Sequence, residues 1–265
     1  MDGEIKFVHN VSKGSRYNQI YIPKEYEDRF EIGDKVEIRL LGKKSDLFYS
    51  RKIELSKFKK RLVKEIFSFL SKYKEIKQVF IFGSFLTKNI DYNDIDLMLI
   101  IDKEKEEFDK KIYDELIEEF NLKFHVISVD KDRLNNLLMV DTLIRNAIYS
   151  SISNKKIYLL PKRIIDENRI RFELMYSEDV LNVNVNSKML YDALKRAVLI
   201  EYFLKGVDLD RNEVEKIIVS LIRNNLYGKI IKDDFINKKE DEKIKKIIKL
   251  VLWRINLILK DGKKG

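Results

Sequence analysis

Cysteine is absent from this 265-residue sequence, and histidine is almost absent, with only His9 and His125. Without cysteine the chain can form no disulfide, no thiolate metal site and no cysteine nucleophile. Two histidines are too few for a zinc site built on several imidazoles. The composition therefore excludes thiol-dependent enzymes and zinc enzymes that use several histidines.

Long apolar runs are also missing, since none approaches the ~20 residues that a membrane-spanning helix needs. The first residues, Met1–Glu4, are polar and acidic, unlike a secretory signal peptide. We therefore expect a soluble, cytoplasmic protein with no membrane partner.

Charge is abundant, because 37% of the residues are charged and the formal net charge is +9. A basic surplus favours polyanionic partners such as nucleotides or nucleic acid. It is equally consistent with a solvated surface of lysine and glutamate. The hydrophobic fraction of 45% is high enough to exclude disorder across the whole chain.

The pattern along the chain predicts an α+β protein in three parts. Residues 1–47 form a β-rich module, residues 52–162 a mixed-sheet domain with flanking helices, and residues 163–265 a helical bundle. In the first part we expect strands at Ile5–Val11, Gln19–Ile22 and Lys35–Leu41, and a helical turn at Lys24–Phe30. In the last part, helices are expected from Asn186 onwards, including Glu213–Leu226 and Lys243–Leu259.

The middle part alternates helices and apolar strands. Apolar residues from Phe58 to Leu70 recur at helical spacing, and further helices are predicted at Lys103–Phe120 and Lys131–Ser150. The predicted strands are Gln78–Phe82, Ile95–Ile101, Lys123–Val129 and Lys156–Leu160.

Two carboxylates open the second of these strands, at Asp94 and Asp96. Side chains two apart on a strand point to the same face, so the carboxylates project side by side while Ile95 and Leu97 face the core. A divalent cation is the usual reason to tolerate such repulsion, and Mg²⁺ prefers carboxylate oxygens together with substrate phosphates. The alternative is that the pair serves only for capping or as solvated charge.

Gly83–Ser84 directly follows the strand before it. Glycine allows a phosphate to approach the backbone, and the Ser84 hydroxyl can donate to it. If a helix begins at Ser84 or Phe85, its free amides would also favour an anion. An ordinary turn is the alternative for this dipeptide taken alone.

The run Gly83–Ser84–Phe85, followed by Asp94–Ile95–Asp96 entering an apolar strand, resembles the DNA polymerase β-like nucleotidyltransferase superfamily, in particular its small prokaryotic minimal branch. The resemblance covers roughly residues 55–160. It implies a mixed sheet, Mg²⁺ or Mn²⁺, and transfer of a nucleotidyl group from ATP or another nucleoside triphosphate. It also implies that Gly83 and Ser84 bind the nucleotide and that Asp94 and Asp96 hold metal.

The sequence departs from that family at the next strand, where a third carboxylate usually acts as the general base. Here His125 occupies the most suitable position, and a neutral imidazole can serve as a base near pH 7. Asp130, at the end of the strand, is an alternative through a register shift. A third possibility is that His125 is structural and that the site binds nucleotide without turnover.

The first 45 residues resemble the swapped-hairpin, AbrB-like DNA-binding module, through the runs Gln19–Lys24 and Phe30–Ile38. This resemblance implies a homodimer whose basic face contacts DNA, with Lys13, Arg16 and Lys24 as phosphate contacts. The alternative is a solitary β-hairpin that accompanies the catalytic domain.

The C-terminal helices could resemble the helical HEPN ribonucleases found beside minimal nucleotidyltransferases. Those enzymes use an Arg and a His a few residues apart, and no histidine occurs after residue 125. That ribonuclease activity is therefore disfavoured.

Two functions follow from these observations. The first is a Mg²⁺-dependent nucleotidyltransferase that moves a nucleoside monophosphate from a triphosphate to a hydroxyl on a protein, an RNA end or a small molecule. The second is a DNA-binding regulator or antitoxin-like protein whose transferase core binds nucleotide but is inactive.

Overall fold

The computed structural model describes residues 5–38, 46–51, 53–87, 92–103, 106–157, 160–232 and 234–261. The chain divides into two compact units, Met1–Leu41 and Gly42–Gly265. The division into three domains stays a prediction.

The first unit contains a short antiparallel hairpin of β1 (Ser12–Lys13) and β2 (Asn18–Gln19). The amide of Gly14 donates to the carbonyl of Tyr17 at 3.0 Å and closes its turn. The predicted helical turn is confirmed as a 3₁₀ helix at Lys24–Arg29. The strand predicted at Ile5–Val11 is wrong. Of the strand predicted at Gln19–Ile22, only Gln19 is paired. The strand predicted at Lys35–Leu41 is wrong at residues 35–38, and its last three residues lie outside the described residues. A two-residue ladder is short because an isolated hairpin is marginal without a third strand or a helix to cover it.

The second unit is built on a mixed sheet, as predicted; the sheet has five strands, of which Phe48–Tyr49 and Ile152–Ser153 were not predicted. The strands lie in the order β3–β7–β4–β5–β6, where β5 and β6 are parallel and the other neighbours are antiparallel. Their bounds are β3 Phe48–Tyr49, β4 Ile76–Phe82, β5 Ile95–Ile101, β6 Phe124–Asp130 and β7 Ile152–Ser153.

Helices cover both faces of this sheet. On one face, α1 (Lys57–Leu70) and α2 (Phe108–Phe120) form a core with the side chains of β5 that include Leu97 and Leu99. On the other face, α3 (Lys131–Val140) and α4 (Thr142–Tyr149) form a core with Met98 and Ile100. The strict alternation of β5 between two buried faces is why this strand is an almost continuous apolar run.

A third core lies among the C-terminal helices. The central helix α6 is buried along its length, and α5, α7 and α9 pack around it. The bounds are α5 Glu167–Asp179, α6 Ser187–Leu204, α7 Arg211–Ile222, α8 Asn224–Ile231 and α9 Lys238–Asp261.

Several predicted bounds differ from the observed ones. The single helix predicted at Lys131–Ser150 is divided at Asp141, whose carboxylate accepts the amide of Ile144 at 2.8 Å and caps α4. The helix predicted at Glu213–Leu226 is divided at Arg223, which has a φ of +72°. The strand predicted at Lys156–Leu160 is wrong at 156–157 and lies outside the described residues at 158–159. Helix α5 was not predicted.

Within the described residues, no helix combines the length and the apolar character that crossing a membrane requires.

Candidate active site

The backbone bends sharply at Gly83, directly after β4. Gly83 has a φ of +78° and a ψ of −157°, a region that essentially only glycine adopts. A Cβ at this position would lie 1.8 Å from Oδ2 of Asp96. Glycine is thus required by the backbone angle and by the carboxylate that lies against it.

Ser84 begins a 3₁₀ turn of three residues, Ser84–Leu86. The turn is closed by the amide of Leu86 to the carbonyl of Gly83 at 3.3 Å and by that of Thr87 to Ser84 at 3.1 Å. Such a short turn develops little of the dipole of a full helix. The helix N-terminus that was considered as an anion site at Ser84 is therefore not formed. The groups left to bind an anion are the backbone amides of the turn and the Ser84 hydroxyl.

Asp96 lies on β5 opposite Phe82, at the end of β4 that leads into the Gly83 bend. It is on the sheet face opposite to Ile95 and Leu97, which are fully buried. Burial raises the pKa of Asp96, and the negative charge of Asp94 raises it further, while a hydrogen bond with His125 lowers it. Asp94 and Asp96 are therefore close enough to interact, and the Asp96 carboxylate faces the glycine bend.

His125 lies beside Asp96 on the parallel neighbour β6, with its Nδ1 3.2 Å from Oδ1 of Asp96. The His125 side chain is 58% exposed, so it is not a core residue. When Nδ1 carries the proton and donates it to Asp96, the lone pair of Nε2 is left available.

Asp130 cannot take the place of His125. It pairs with Ile101, five residues further along the strands, about 16 Å from the Asp96 position. Its Oδ1 accepts the amide of Arg133 at 2.8 Å and caps α3. The register-shift alternative is therefore wrong.

Two cations from the C-terminal helices complete the site, and the sequence reasoning missed both. Nη1 of Arg211, the first residue of α7, donates to the carbonyl of Gly83 at 3.0 Å. Burial lowers the pKa of Lys195 on α6, nearby Arg211 lowers it further, and Asp96 acts in the opposite direction. Lys195 is one of several charged residues of α6, beside Asp192 and Arg196, and no local feature of the sequence distinguishes it.

A buried ion-pair network holds the segment that carries Arg211. Asp208 accepts Nε of Arg145 at 2.6 Å and Nη2 of Arg163 at 2.7 Å. The amide of Asn146 donates to the carbonyl of Leu209 at 2.8 Å. Since Arg145 and Asn146 belong to α4, the sheet domain itself determines where α7 begins. A capping box at Asp210 and Glu213 then starts that helix.

Behind the bend, Lys59 of α1 holds the loop that follows Ser84. Its buried Nζ donates to the carbonyls of Phe85 at 2.7 Å and Thr87 at 2.8 Å, and it lies 5.1 Å from the ring of Tyr92. Burial lowers the pKa of Lys59, and the charge of Arg211 adds to this effect. The glycine bend is thus held from two sides by cations.

The described groups at this site that could bind a metal ion are the carboxylates of Asp94 and Asp96 and the imidazole of His125. Among the described residues, no group of three or more histidine and acidic side chains is arranged to hold a metal ion. Two adjacent carboxylates do suit one Mg²⁺, which commonly takes one or two carboxylates and completes its shell with water and substrate phosphates.

The DNA-contact residues predicted in the first unit, Lys13, Arg16 and Lys24, are all exposed. Lys13 lies in β1, Arg16 in the hairpin turn and Lys24 at the start of the 3₁₀ helix. These positions place each of them in solvent and leave their role as a prediction.

Comparison with known families gives a match over the central part of the chain. The model of the family described as polymerase beta, nucleotidyltransferase matches residues 64–153, from within α1 to β7. No curated protein and no solved structure matches the chain. The matched segment contains the Gly83 bend, both aspartates and His125. Residues 64–153 therefore match the nucleotidyltransferase domain of the DNA polymerase β-like superfamily.

Proposed function

We propose that this domain is a Mg²⁺-dependent nucleotidyltransferase that moves a nucleoside monophosphate from a nucleoside triphosphate to a hydroxyl acceptor. The observation that carries the proposal is the contact between the Asp96 carboxylate and the Gly83 bend. Because of this contact, one metal–triphosphate complex could bind to the Asp96 carboxylate and to the backbone of the Gly83 bend at the same time.

The triphosphate tail binds along the bend. Ser84 donates its hydroxyl, and Lys195 and Arg211 supply positive charge from the C-terminal helices. Arg211 exchanges its neutral carbonyl partner for phosphate oxygens, which make stronger, charge-assisted hydrogen bonds. Lys59 keeps the loop carbonyls turned away from the phosphates.

Asp94 and Asp96 would hold the cation, which would neutralise charge on the phosphates when bound. The protein groups then align the acceptor with the α-phosphate. The acceptor oxygen forms a bond to the α-phosphorus, the bond to the bridging oxygen of the β-phosphate breaks, and pyrophosphate leaves. Nε2 of His125 takes the proton of the acceptor hydroxyl.

Pyrophosphate release tests the proposal. Full-length protein is incubated with each of the four ribonucleoside triphosphates, Mg²⁺ or Mn²⁺, and a cell extract as the source of acceptors. We expect wild-type protein to label an acceptor, and the Asp94→Asn/Asp96→Asn variant to lose about a thousandfold in rate, since it loses the metal ligands.

Asp102→Asn is the matched control, because Asp102 follows the other end of β5 and its ion pair with Lys77 is exposed. Asp102→Asn should label the acceptor at the same rate as wild-type protein. Equal labelling by wild type and the double Asn variant would remove the catalytic claim. Nucleotide binding without any labelling would instead favour the inactive, regulatory alternative.

The identity of the acceptor is addressed by the same experiment. Labelled product that resists nuclease and is destroyed by protease is a protein, whereas the opposite result identifies an RNA end. Product that passes a small-pore filter is a small molecule.

For the first unit we propose a cytoplasmic homodimer that contacts DNA. It is supported by the burial pattern, because no described residue from 5 to 38 is buried although many are large and apolar. A second copy would cover these side chains. Light scattering gives the oligomeric state. Binding to duplex DNA that weakens with salt, and weakens further in a Lys13→Ala/Arg16→Ala/Lys24→Ala variant, would support the DNA contact.

A further inference from the structure

Helix α9 has a seam of residues on its outer face that is apolar at its centre and basic at its ends, and that does not take part in packing of the bundle core. The seam residues recur at alternating spacings of three and four, which is the spacing of a coiled-coil stripe. They are Lys243, Lys246, Leu250, Trp253, Leu257 and Lys260.

The three central residues of the seam are exposed, with 48% of Leu250, 58% of Trp253 and 40% of Leu257 accessible. The inner face of the same helix is a different set, which includes Ile248 and Ile255 and is buried in the bundle core. Leu250, Trp253 and Leu257 are therefore additional to what folding of the bundle requires.

Between the two end lysines of the seam the charge on α9 has one sign, and Glu242 and Asp261 lie directly beyond them. Between Lys243 and Lys260 the helix carries six basic residues and no carboxylate. Two of these six have partners on neighbouring segments, since Arg254 pairs with Glu201 and Lys245 donates to the carbonyl of Val183. The other four, Lys243, Lys246, Lys249 and Lys260, are exposed and flank the apolar centre at both ends.

This charge distribution selects the partner. A second copy of α9 would bring lysines against lysines at both ends of the seam, whether parallel or antiparallel, and like charges opposed across a helix pair are destabilising. Nucleic acid would pair with the lysines and stack on Trp253, but it offers no apolar surface to Leu250 and Leu257. A membrane surface needs a wider apolar face than two leucines and one tryptophan.

We propose that the outer seam of α9 binds an amphipathic helix of another protein, apolar at its centre and rich in Glu or Asp at its ends. The central Trp253 acts as the anchor, as buried tryptophans do in many interfaces, and the lysines determine orientation and selectivity.

Trp253 is the only tryptophan in the chain, so its fluorescence reports the seam directly. The probe is a synthetic helical peptide of about three heptads with leucines at the central seam positions and glutamates at the flanking ones. The control peptide has lysines in place of the glutamates. We expect a blue shift with the acidic peptide, binding about tenfold tighter than to the basic peptide, and weakening at high salt.

Variants of the full chain distinguish binding at the seam from nonspecific hydrophobic binding. Leu257→Glu should weaken binding of the acidic peptide about tenfold. Phe58→Glu, at an apolar position on α1 that is even more exposed (66% against 40%), should leave it unchanged. Lys246→Glu/Lys249→Glu should shift the preference towards the lysine peptide.

Four results would overturn the proposal: no spectral shift at millimolar peptide, equal affinity for both peptides, self-association that Leu257→Glu abolishes, or a stronger response to oligothymidylate or phosphatidylserine vesicles than to the acidic peptide. None of these readouts depends on transferase activity.

Discussion

Apolar side chains are frequent both in residues 5–38 and in β5, but the two regions bury them very differently. In β5, Leu97, Met98 and Leu99 have no accessible surface, because helices cover both faces of the sheet. In residues 5–38 no side chain is buried, and residues such as Ile32 and Ile38 lie in solvent. In this chain, the apolar pattern became a long strand where helices cover the sheet, and it did not in residues 5–38, where no side chain is buried.

The difference also bears on function. The covered sheet can hold Asp96 and Gly83 in one geometry, because neither strand can move without disturbing a packed core. The first unit has no buried side chain among its described residues, 5–38. We therefore expect substitutions in the sheet to act on stability and catalysis, and substitutions in residues 5–38 to act on assembly.

The largest effect is expected for Gly83→Ala, which tests whether the covered sheet is as rigid as the comparison implies. The new Cβ has no room beside Asp96, and the backbone angle is unfavourable for alanine. Nucleotidyl transfer should fall by about a thousandfold, measured as pyrophosphate release. Gly33→Ala is the control, because it also has a positive φ but has open space at the Cβ position. Retained activity in Gly83→Ala would mean that the bend is not part of the site.

Leu99→Ala is expected to lower the free energy of unfolding by about 2–5 kcal/mol, since Leu99 is fully buried and its truncation leaves a cavity. Ile38→Ala in the first unit should change it by less than about 0.5 kcal/mol under conditions where the chain is a monomer. Urea unfolding followed by circular dichroism measures both. Similar losses for the two variants would contradict the difference in burial.

Because of the ion-pair network at Asp208, the free energy of unfolding should depend on pH in the acid range. Burial of Asp208 opposes its ionisation, but hydrogen bonds from Arg145 and Arg163 outweigh this and lower its pKa. Its contribution to stability is therefore complete above the unfolded pKa of about 3.9 and is lost as the pH falls through the lower folded value. At neutral pH, Asp208→Asn should cost about 3 kcal/mol, because it leaves the buried Arg145 without its counterion.

Urea unfolding at a series of pH values checks this prediction. The difference in the free energy of unfolding between wild type and Asp208→Asn should be constant from neutral pH down to mild acid. It should become smaller below pH ~4. A difference that stays constant in strong acid would show that Asp208 does not act through its charge. Lys77 and Asp102 provide the contrast, because their exposed pair should contribute below about 1 kcal/mol.

The sequence predicted most of the sheet domain and part of the site. Strand β5 was predicted with its observed bounds, because its apolar run is flanked by polar residues at both ends. Asp94, Asp96 and His125 were proposed from strand periodicity and the family resemblance. Asp96 and His125 are indeed paired across β5 and β6, and the roles of all three stay predictions. Lys195 and Arg211 were not found. The approach of Arg211 to Gly83 and of Lys195 to Asp96 depends on how α6 and α7 pack, about a hundred residues later in the chain. Such contacts have no local pattern.

The smallest effect on the stability of a single chain is expected for Ile20→Asp/Ile22→Asp in the first unit. Both side chains are already partly exposed, so the unfolding free energy of the monomer should change by less than about 0.5 kcal/mol. If a second copy covers these residues, a buried aspartate would oppose association strongly, and the dimer should dissociate at concentrations where the wild type remains dimeric. Sedimentation equilibrium distinguishes these outcomes, with Lys6→Asp as a polar control for the added charge. A wild-type chain that is monomeric throughout, with the double variant indistinguishable from it, would show that residues 5–38 lack a core even in solution and need a different partner to acquire one.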